Sequence, residues 1–424
     1  MNILSVQSER YERQPNMSDA FKELFKQGTN HFAQGRYKEA KRFLLEALDL
    51  DPSHAPLNYY LGTVAEEEKD FDQAETYYEK VLASDPTMRQ AYVQLAHVLF
   101  FLGKKEKALV VLRSAEERFE NSHDLTYMRG QVASQLFPGW HLPMLADQRR
   151  NDLYEAAINA QVCPGDIVLD IGTGSGLLAM MAARAGAAHV YAFEAQPMIA
   201  QLARDVIAQN GFADKITVIA KHSTHAVLGQ DLPQKCDVLV TEIFDRALVG
   251  EGALPSIAHA RAELLKPTAR VVPQGARLYG ALIECDHLQR FHHIETVNGF
   301  DLSAMNVLSH PLLYKEALLG PQDSPYHQVL STPFLVKAFD FEQPLSTRFN
   351  TLATVSVIKE GQADAILLWF ELQLDEGHVL STRDPAPDSH WREAAQILLK
   401  RPPLQTGTTL DIKTSYNGYF DFQL

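Results

Sequence analysis

Small and aromatic residues recur every 34 positions along the first third of the chain. The recurring positions are Gly28, Gly62 and Ala96; Ala40, Ala74 and Ala108; Pro52 and Pro86; and Tyr37 and Phe71. Small residues at fixed spacing let paired helices approach closely, and the prolines close successive units. The third unit has Glu120 in place of the proline, as expected of a last repeat. The pattern predicts helical hairpins over residues 21–120, after an N-terminal tail (residues 1–20).

A different pattern begins after residue 140, where short apolar runs alternate with longer mixed stretches. Ile167–Ile171, His189–Phe193 and Cys236–Val240 are such runs, and each suits a strand buried in a parallel sheet. Stretches long enough for a helix separate them, which is the order of a doubly wound sheet. The pattern predicts a Rossmann-like α/β domain over residues 140–272.

From about Ala269 the pattern changes again, to runs typical of antiparallel strands. The predicted strands are Ala276–Glu284, Phe334–Phe341, Ala353–Ile358 and Ile366–Leu374. We therefore predict an antiparallel sheet or β-barrel over residues 273–424.

The 34-residue period is typical of tetratricopeptide repeats. Such all-α arrays present a concave surface to an extended peptide or a partner protein. Docking of a substrate or partner on this surface and packing of the repeats on their own chain are equally compatible with the pattern. Residues 121–139 are predicted to connect the array to the α/β domain, with a break at Phe137-Pro-Gly139.

Composition narrows the class of protein. The 424 residues carry a net charge of −14, which disfavours a nucleic-acid partner and suits basic protein segments. No apolar run has the length of a membrane span, and the N-terminus lacks the apolar core of a secretion signal. The three cysteines form no spaced pair. We expect a cytoplasmic protein without a membrane partner or a metal site.

Three glycines follow the first apolar run at alternate positions: Gly172, Gly174 and Gly176. Glycine permits backbone angles and close approaches that a Cβ blocks. Leu177–Ala185 then has the composition of a helix, whose N-terminus faces a bound ligand. Dinucleotide-binding folds use similar loops, so the glycines alone predict a nucleotide-like ligand without naming it.

Two carboxylates near this turn distinguish the cofactor classes. Asp170 precedes the first glycine by two positions, where it would repel a pyrophosphate and accept a hydrogen bond from a cationic amino-acid moiety. Glu194 ends the second run, where it is placed to accept hydrogen bonds from both ribose hydroxyls. The pair favours S-adenosyl-L-methionine over a dinucleotide.

A second carboxylate pair follows the third apolar run. Glu242 and Glu251 are nine residues apart, and Gly252–Leu265 after them has the pattern of a helix. Glu251 alone would also suit a helix N-terminus. As a pair, the two carboxylates predict a site for a positively charged acceptor.

At these residues the chain resembles the protein arginine N-methyltransferases, from about Trp140 to Leu424. The motifs that carry the resemblance are Met144–Arg150 with Tyr154, Asp170–Gly176, Glu194, the Glu242…Glu251 "double-E" loop, and Ser389-His-Trp391. Three segments, Lys221-His-Ser-Thr224, Thr241–Asp245 and Gly250–Pro255, are most similar to the branch of arginine methyltransferases seven and nine. Arginine methyltransferase nine also carries tetratricopeptide repeats. Ser389 stands where the family usually has threonine, and the chain has one catalytic module where that branch typically has two.

The resemblance implies a transferase whose site residues have defined roles. Arg150, Asp170 and Glu194 would contact the carboxylate, the methionine moiety and the ribose of the cofactor, with Met144, Gly172, Gly174, Gly176 and Ser223 also at the cofactor. Glu242 and Glu251 would clamp the substrate guanidinium, Asp147 and His390 would pair to brace the site, and Trp391 would wall the substrate channel. The resemblance also implies a homodimer, formed through an arm near residues 298–333 that includes Phe300, Leu302, Leu308 and Leu312.

Two other functions stay open at this point. One is a repeat-based adaptor with an inactive methyltransferase fold, although retention of both glutamates counts against it. The other is a methyltransferase acting on another amine or a small molecule. The leading hypothesis is methyl transfer from S-adenosyl-L-methionine to arginine side chains of proteins.

Overall fold

A computed structural model of the chain describes residues 18–120, 122–137, 139, 141–285, 288, 293–308, 327–383, 389–391, 393–398 and 400–424. The chain forms two compact units, one ending at His141 and the other running from Leu142 to Leu424. The first 17 residues, Trp140, and part of the expected arm (309–326, with Leu312) lie outside the described residues. Within the described ranges, every helix is too short or too polar to span a bilayer.

The first unit is a succession of packed helices, as the 34-residue period predicts. They are α1 (Asp19–Ala33), α2 (Tyr37–Leu48), α3 (Ala55–Glu67), α4 (Phe71–Ser84), α5 (Arg89–Phe101), α6 (Lys105–Arg118) and α7 (His123–Leu136). The small residues lie where paired helices meet: a Cβ on Gly62 would lie 2.7 Å from the ring of Tyr78, and Ala40, Ala74 and Ala108 are fully buried. The predicted helical hairpins are confirmed.

The predicted connector is largely helical. His123–Leu136 forms α7, which packs against α6 and buries Leu125 and Val132 completely. Only these two residues of the helix are buried, so its apolar pattern is weak and the sequence did not indicate it. The array therefore extends past residue 120.

A five-stranded parallel sheet forms the first half of the second unit. The first element, α8 (His141–Ala146), begins at the last residue of the first unit. The strands and helices that follow are α9 (Gln148–Gln161), β1 (Ile167–Ile171), α10 (Leu177–Ala185), β2 (His189–Glu194), α11 (Pro197–Gln209), β3 (Ile216–Ala220), β4 (Cys236–Thr241), α12 (Ala253–His259) and β5 (Leu265–Val272). The strand order is β3-β2-β1-β4-β5, and all neighbours are parallel. The predicted Rossmann-like order is confirmed, with the reversal of strand order at β1.

The helix expected over Gly252–Leu265 is wrong at its C-terminal end. The α-helix ends at His259, Ala260–Leu264 forms a π-helical turn, and Leu265 already pairs with Cys236 of β4. Leu264 and Leu265 are both buried, so an apolar pattern alone does not separate the end of a helix from the start of a strand.

The second half of the second unit is antiparallel, as predicted. Its strands are β6 (Gly275–Glu284), β7 (Thr296–Val297), β8 (Phe300–Asp301), β9 (Gln328–Val329), β10 (Phe334–Asp340), β11 (Phe349–Ser356), β12 (Gly361–Gln362), β13 (Ala365–Gln373), β14 (Val379–Ser381), β15 (Ala394–Ile397), β16 (Pro403–Leu404), β17 (Thr409–Tyr416) and β18 (Phe420–Gln423). One sheet has the order β10-β6-β13-β14, with β9 and β15 added, and another the order β11-β17-β18. The four predicted strands are all present, and β11 begins four residues earlier than expected. The short strands β7, β8, β9 and β12 and the strands after residue 374 were not predicted.

Candidate active site

The carboxyl ends of β1, β2 and β4 lie side by side because the three strands are neighbours in the parallel sheet. Ile171 of β1 is in register with Phe193 of β2 and with Thr241 of β4. The residues that follow these strands therefore meet at one edge: the glycine turn, Glu194 and Glu242. Ligands of open parallel sheets bind at such an edge, where the strand order reverses.

The turn after β1 requires glycine. Gly172 has a φ of 74°, and a Cβ there would lie 2.1 Å from the side chain of Ile243. The amides of Gly172 and of the next residue both donate to the carbonyl of Phe193, over 2.9 and 3.0 Å, which ties the turn to β2. Gly176, with a φ of 83°, is the last residue before α10. The turn presents bare backbone in front of this helix.

Asp170 is buried beneath the turn. Its Oδ2 accepts a 2.6 Å hydrogen bond from the Thr173 hydroxyl, while Oδ1 has no partner of normal geometry among the described residues. Burial raises the pKa of Asp170 to about 7, supported by the charge of Glu194 and opposed by donors from Thr173 and the Ala179 amide. A buried carboxylate with an unpartnered oxygen is suited to accept a hydrogen bond from a cationic ligand group.

Glu194 is half-buried at the end of β2 and faces the glycine turn. Its Oε2 accepts a 3.1 Å hydrogen bond from the Gly174 amide, and its Oε1 accepts one of 2.9 Å from the Gln196 amide. Two backbone donors hold the carboxylate in place. Each oxygen has a second lone pair that can accept from a ligand hydroxyl.

Arg150 and Glu242 form a buried ion pair. Arg150 Nη2 and Nε lie 2.5 and 3.2 Å from Glu242 Oε2, and each side chain is 4% exposed. Arg150 Nη1 donates to Asn151 Oδ1 over 2.8 Å. Because both bonds from Arg150 go to Oε2, they leave Glu242 Oε1 to another donor. The residues predicted to serve cofactor and substrate separately are thus in direct contact.

The loop between Glu242 and Glu251 has an unusual backbone. Leu248 and Glu251 have φ of 74° and 53°, in the left-handed region that costs a non-glycine residue about 1–3 kcal/mol. Ala247, Leu248 and Val249 are buried, whereas Glu251 is exposed. The loop therefore places its two glutamates differently, one buried beside Arg150 and one open to solvent.

Asp147 and His390 are in direct contact. His390 Nδ1 lies 3.0 Å from Asp147 Oδ2, which also accepts from the Ser389 hydroxyl over 3.2 Å. The other oxygen accepts from the Arg150 amide and caps α9. Burial opposes ionisation, but the hydrogen bonds from His390 and from the backbone lower the pKa of Asp147 to about 2. Trp391, 3% exposed, contacts the His390 ring and donates to the Phe244 carbonyl over 3.4 Å.

Met144 and Ser223 lie on elements beside the site. Met144 is half-buried on α8, and its carbonyl accepts from the Asp147 amide over 3.2 Å. Ser223 is buried at the start of the 3-10 turn Ser223–His225, which follows β3. Among the hydrogen bonds of the described residues, none joins either side chain to the other predicted site residues. Their cofactor roles stay predictions.

The residues present fit S-adenosyl-L-methionine. The glycine turn leaves a surface that a side chain would fill, and Asp170 Oδ1 lacks a partner of normal geometry among the described residues. Asp170 and Glu194 would hold the amino-acid and ribose groups, and Arg150 would supply a cation for the carboxylate. The described residues contain no group of three or more side chains spaced to hold a metal ion.

Sequence reasoning assigned no role to Asp245, although it lies in a motif of the resemblance, and did not indicate Tyr416 at this site. Asp245 Oδ1 accepts from the amides of Ala247 and Gly250, and the Tyr416 hydroxyl donates to the Val249 carbonyl. The spacing of Asp245 and Gly250 carries a turn signal that could have been read. No local sequence signal marks Tyr416, because 167 residues separate it from its partner Val249.

Comparison with known proteins covers both units. A family profile described as ribosomal protein L11 methyltransferase matches residues 154–273, and one described as the arginine methyltransferase oligomerization subdomain matches residues 274–417. Tetratricopeptide repeat profiles match residues 25–89 and 65–131. The last of these matches includes most of α7.

An arginine N(omega)-methyltransferase of Streptomyces achromogenes subsp. streptozoticus is 39% identical over 294 residues, which cover 69% of this chain and 80% of that protein. The chain belongs to the arginine methyltransferase family. Protein arginine N-methyltransferase 9 of Mus musculus is 32% identical over 348 residues, covering 75% of this chain and 41% of that protein. Protein arginine N-methyltransferase 7 of Danio rerio is 33% identical over 306 residues, covering 65% and 44%.

The chain thus spans less than half the length of these two family members. A solved structure, the Trypanosoma brucei arginine methyltransferase 1 enzyme–prozyme heterotetrameric complex with AdoHcy, matches with a TM-score of 0.57. It covers 66% of this chain and 88% of that chain at 23% identity, and shows the fold alone. The family resemblance and the repeats predicted from the sequence are confirmed.

Proposed function

We propose that this chain transfers a methyl group from S-adenosyl-L-methionine to a guanidinium nitrogen of arginine residues in proteins. The observation that carries the proposal is the convergence of the glycine turn, Glu194 and Glu242 on one edge of the sheet, with Asp147 and His390 beside them. Glu242 binds a guanidinium in this structure, that of Arg150. The relatives' printed names, which specify arginine, support the same acceptor.

Methyl transfer to arginine requires the protein to localise the positive charge of the substrate guanidinium. An arginine side chain stays protonated in proteins and is a weak methyl acceptor while its charge is delocalised. Carboxylates on two sides of the planar group attract the charge to the nitrogens they bind and leave the remaining nitrogen the stronger nucleophile. S-adenosyl-L-methionine, when bound, supplies an electrophilic methyl group. Glu242 and Glu251 would orient the acceptor toward it, so positioning provides the acceleration.

Asp147 would act by bracing the site. Its carboxylate caps α9, the helix that carries Arg150, and binds Ser389 and His390 of the segment before β15. Because the pKa of Asp147 is lowered to about 2, the carboxylate keeps its charge throughout the pH range in which the protein would work. Trp391 follows in sequence and would wall the substrate channel.

A second candidate acceptor is free arginine. The printed name of the Streptomyces relative specifies arginine without the word protein, and that relative is matched over 80% of its length. The repeats favour a protein substrate, since such arrays bind extended peptides. We propose that they dock a substrate or partner.

Mass spectrometry with isotopically labelled cofactor separates these functions. The full chain is incubated with arginine-rich peptides, with the same peptides carrying lysine in place of arginine, and with free arginine. We expect label on the arginine peptides alone. Label on free arginine alone would support the small-molecule function, and absence of label with demonstrated cofactor binding would support an inactive adaptor.

We further propose a homodimer formed through the arm. Residues 274–417 match an oligomerization subdomain, and the described part of the arm leaves apolar side chains open to solvent. Phe300, Val307 and Leu308 are 71%, 83% and 65% exposed. Exposed apolar residues in such a cluster favour an interface over free surface.

A further inference from the structure

Several hydrogen bonds hold the backbone between Glu242 and Glu251 and the turn that follows it. The carbonyl of Asp245 accepts from the Leu248 amide over 2.9 Å, and the carbonyl of Gly250 accepts from the Ala253 amide over 3.1 Å. Left-handed residues persist in a loop only where the surroundings determine its shape. The groups that fasten the loop therefore decide where Glu251 lies.

Within the loop, one carboxylate oxygen accepts two of the hydrogen bonds that hold the backbone. Asp245 Oδ1 accepts from the Ala247 amide over 3.1 Å and from the Gly250 amide over 2.9 Å. The loop is closed so tightly around this side chain that a Cβ on Gly250 would lie 2.3 Å from Asp245 Cγ. Any side chain at position 250 would push Asp245 out of its place.

From outside the loop, the antiparallel sheets hold its backbone. The Tyr416 hydroxyl, at the end of β17, donates to the Val249 carbonyl over 3.2 Å. Its ring is stacked on Phe349 at 5.3 Å and packed against Phe420 at 4.9 Å, so the hydroxyl has little freedom to move. Burial and the nearby Asp245 carboxylate raise the pKa of Tyr416, which keeps the hydroxyl protonated as a donor.

We propose that Asp245 and Tyr416 are positioning residues that hold the loop in the shape that presents Glu251 to the acceptor. The inference rests on the proposed function, because both residues would act through Glu251. Toward the two amides Asp245 would act as a hydrogen-bond acceptor: they need an oxygen at Oδ1, which an asparagine also supplies.

The acceptor role has a direct test on the full chain. Asp245→Asn keeps the acceptor and removes the charge, whereas Asp245→Ala removes both. Gly250→Ala displaces Asp245 without altering it, and Tyr416→Phe removes a single oxygen. Tyr419→Phe is the control for Tyr416→Phe, because Tyr419 is 57% exposed. Gly130→Ala is the control for Gly250→Ala, because a Cβ on Gly130 would meet nothing within 4 Å.

We expect Asp245→Ala and Gly250→Ala to lower kcat for an arginine peptide at least about thirtyfold, and Tyr416→Phe about tenfold, the effect of one lost hydrogen bond. Asp245→Asn should remain within about threefold of wild type. The dissociation constant for S-adenosylhomocysteine should change less than twofold in every variant, because the loop is not part of the proposed cofactor site.

Hydrogen exchange of residues 244–252 supplies a readout that does not depend on activity. We expect amide exchange in this segment to be at least tenfold faster in Asp245→Ala and Tyr416→Phe than in wild type, and unchanged in Asp245→Asn. Methyl transfer absent from the wild type would refute the proposed function and leave this result standing. Equal exchange in all variants, or an Asp245→Asn loss as large as that of Asp245→Ala, would overturn the positioning role. If Asp245→Ala does not fold, the exchange rates and kcat values of Tyr416→Phe and Asp245→Asn still test the positioning role.

Discussion

At the residue scale, the two glutamates of the double-E loop stand in opposite environments. Glu242 is 4% exposed and paired with Arg150, which is itself buried, whereas Glu251 is exposed. Removing one member of a buried ion pair leaves the other charge uncompensated, at a cost of about 3–5 kcal/mol. Substitution of Glu242 therefore tests stability and catalysis together, and substitution of Glu251 tests catalysis more cleanly.

We predict that Glu251→Gln lowers methyl transfer at least about a hundredfold while the melting temperature and the affinity for S-adenosylhomocysteine stay at wild-type values. Glu242→Gln should lose as much activity and also melt several degrees lower, because Arg150 loses its partner. Steady-state kinetics on an arginine peptide, calorimetry and thermal unfolding measure these effects. Near-normal turnover of Glu251→Gln would contradict the two-carboxylate mechanism.

The raised pKa of Asp170 makes the stability of the free protein depend on pH. Its pKa is raised to about 7 in the folded chain, against an ordinary value of 3.8. Between these values the folded state binds the proton and the unfolded state does not, so the free energy of unfolding falls as pH rises from about 4 to about 7. A cationic ligand group is favoured by the ionised form of Asp170, so its binding is coupled to release of this proton.

We predict that the affinity for S-adenosylhomocysteine rises with pH up to about 7 and then levels off, because its cationic amino group needs the ionised form of Asp170. Calorimetry between pH 5.5 and 8 in buffers of different ionisation enthalpy would show release of a proton at the lower pH. Asp170→Asn serves as the control, and it should abolish both the slope and the proton release. A wild-type slope that survives in this variant would assign the proton to another group.

Individual site residues were predictable where a strand end or a motif marked them. Asp170, Glu194 and Glu242 each lie at the end of an apolar run, so parallel pairing alone brings them together. The contact between Arg150 and Glu242 was not predictable, because 92 residues separate them and each had been given a different ligand. Pairings of this kind depend on packing rather than on local pattern.

At the element scale, helices and strands were predictable where a local sequence pattern marks their ends, and not where packing alone sets them. β1 and α10 begin and end at the predicted residues, because glycine punctuates a run that is buried on both faces. The end of α12 and the start of β5 were misjudged, since buried leucines continue across the boundary. β17 and β18 alternate buried and exposed residues only weakly, and α7 buries just two side chains. Elements with few buried positions leave little pattern to detect.

Because α7 packs on the repeats, a deletion that removes the repeats should also remove α7. Leu125 and Val132 are fully buried on the array, and α7 packs on α6, so a cut at residue 120 would expose its apolar face. We predict that removal of residues 1–136 leaves methylation of a short arginine peptide within about threefold of wild type. Transfer of label into the proteins of a native lysate should fall at least tenfold, because a docking surface raises the effective concentration of the target.

Thermal unfolding supplies the control for this deletion. Loss of residues 1–120 alone should give a less stable protein than loss of residues 1–136, since only the shorter deletion leaves α7 without its partner. Equal labelling of lysate proteins by the full chain and by the chain lacking residues 1–136 would contradict recruitment by the repeats. Loss of peptide methylation in a folded truncated chain would instead make the array part of the catalytic scaffold.

At the scale of the whole molecule, exposed apolar side chains in the arm favour assembly of two copies. The second unit carries the candidate active site, and its match to an oligomerization subdomain begins at residue 274. The described part of the arm exposes Phe300, Met305, Val307 and Leu308, four apolar side chains within nine residues. Symmetric association through a two-fold axis would cover this cluster on both copies at once.

We predict that the active protein has twice the mass of the 47.5 kDa chain when light scattering is coupled to size exclusion at micromolar concentration. Phe300→Asp combined with Val307→Asp should give a monomer, because burying two unpaired carboxylates is more unfavourable than the remaining apolar contact is favourable. Leu352→Asp is the matched control: Leu352 is 62% exposed on β11, outside the arm, and its substitution should leave the mass unchanged. A monomer mass for active wild-type protein would end the dimer proposal. A dimer that survives the double substitution would move the interface away from the described part of the arm.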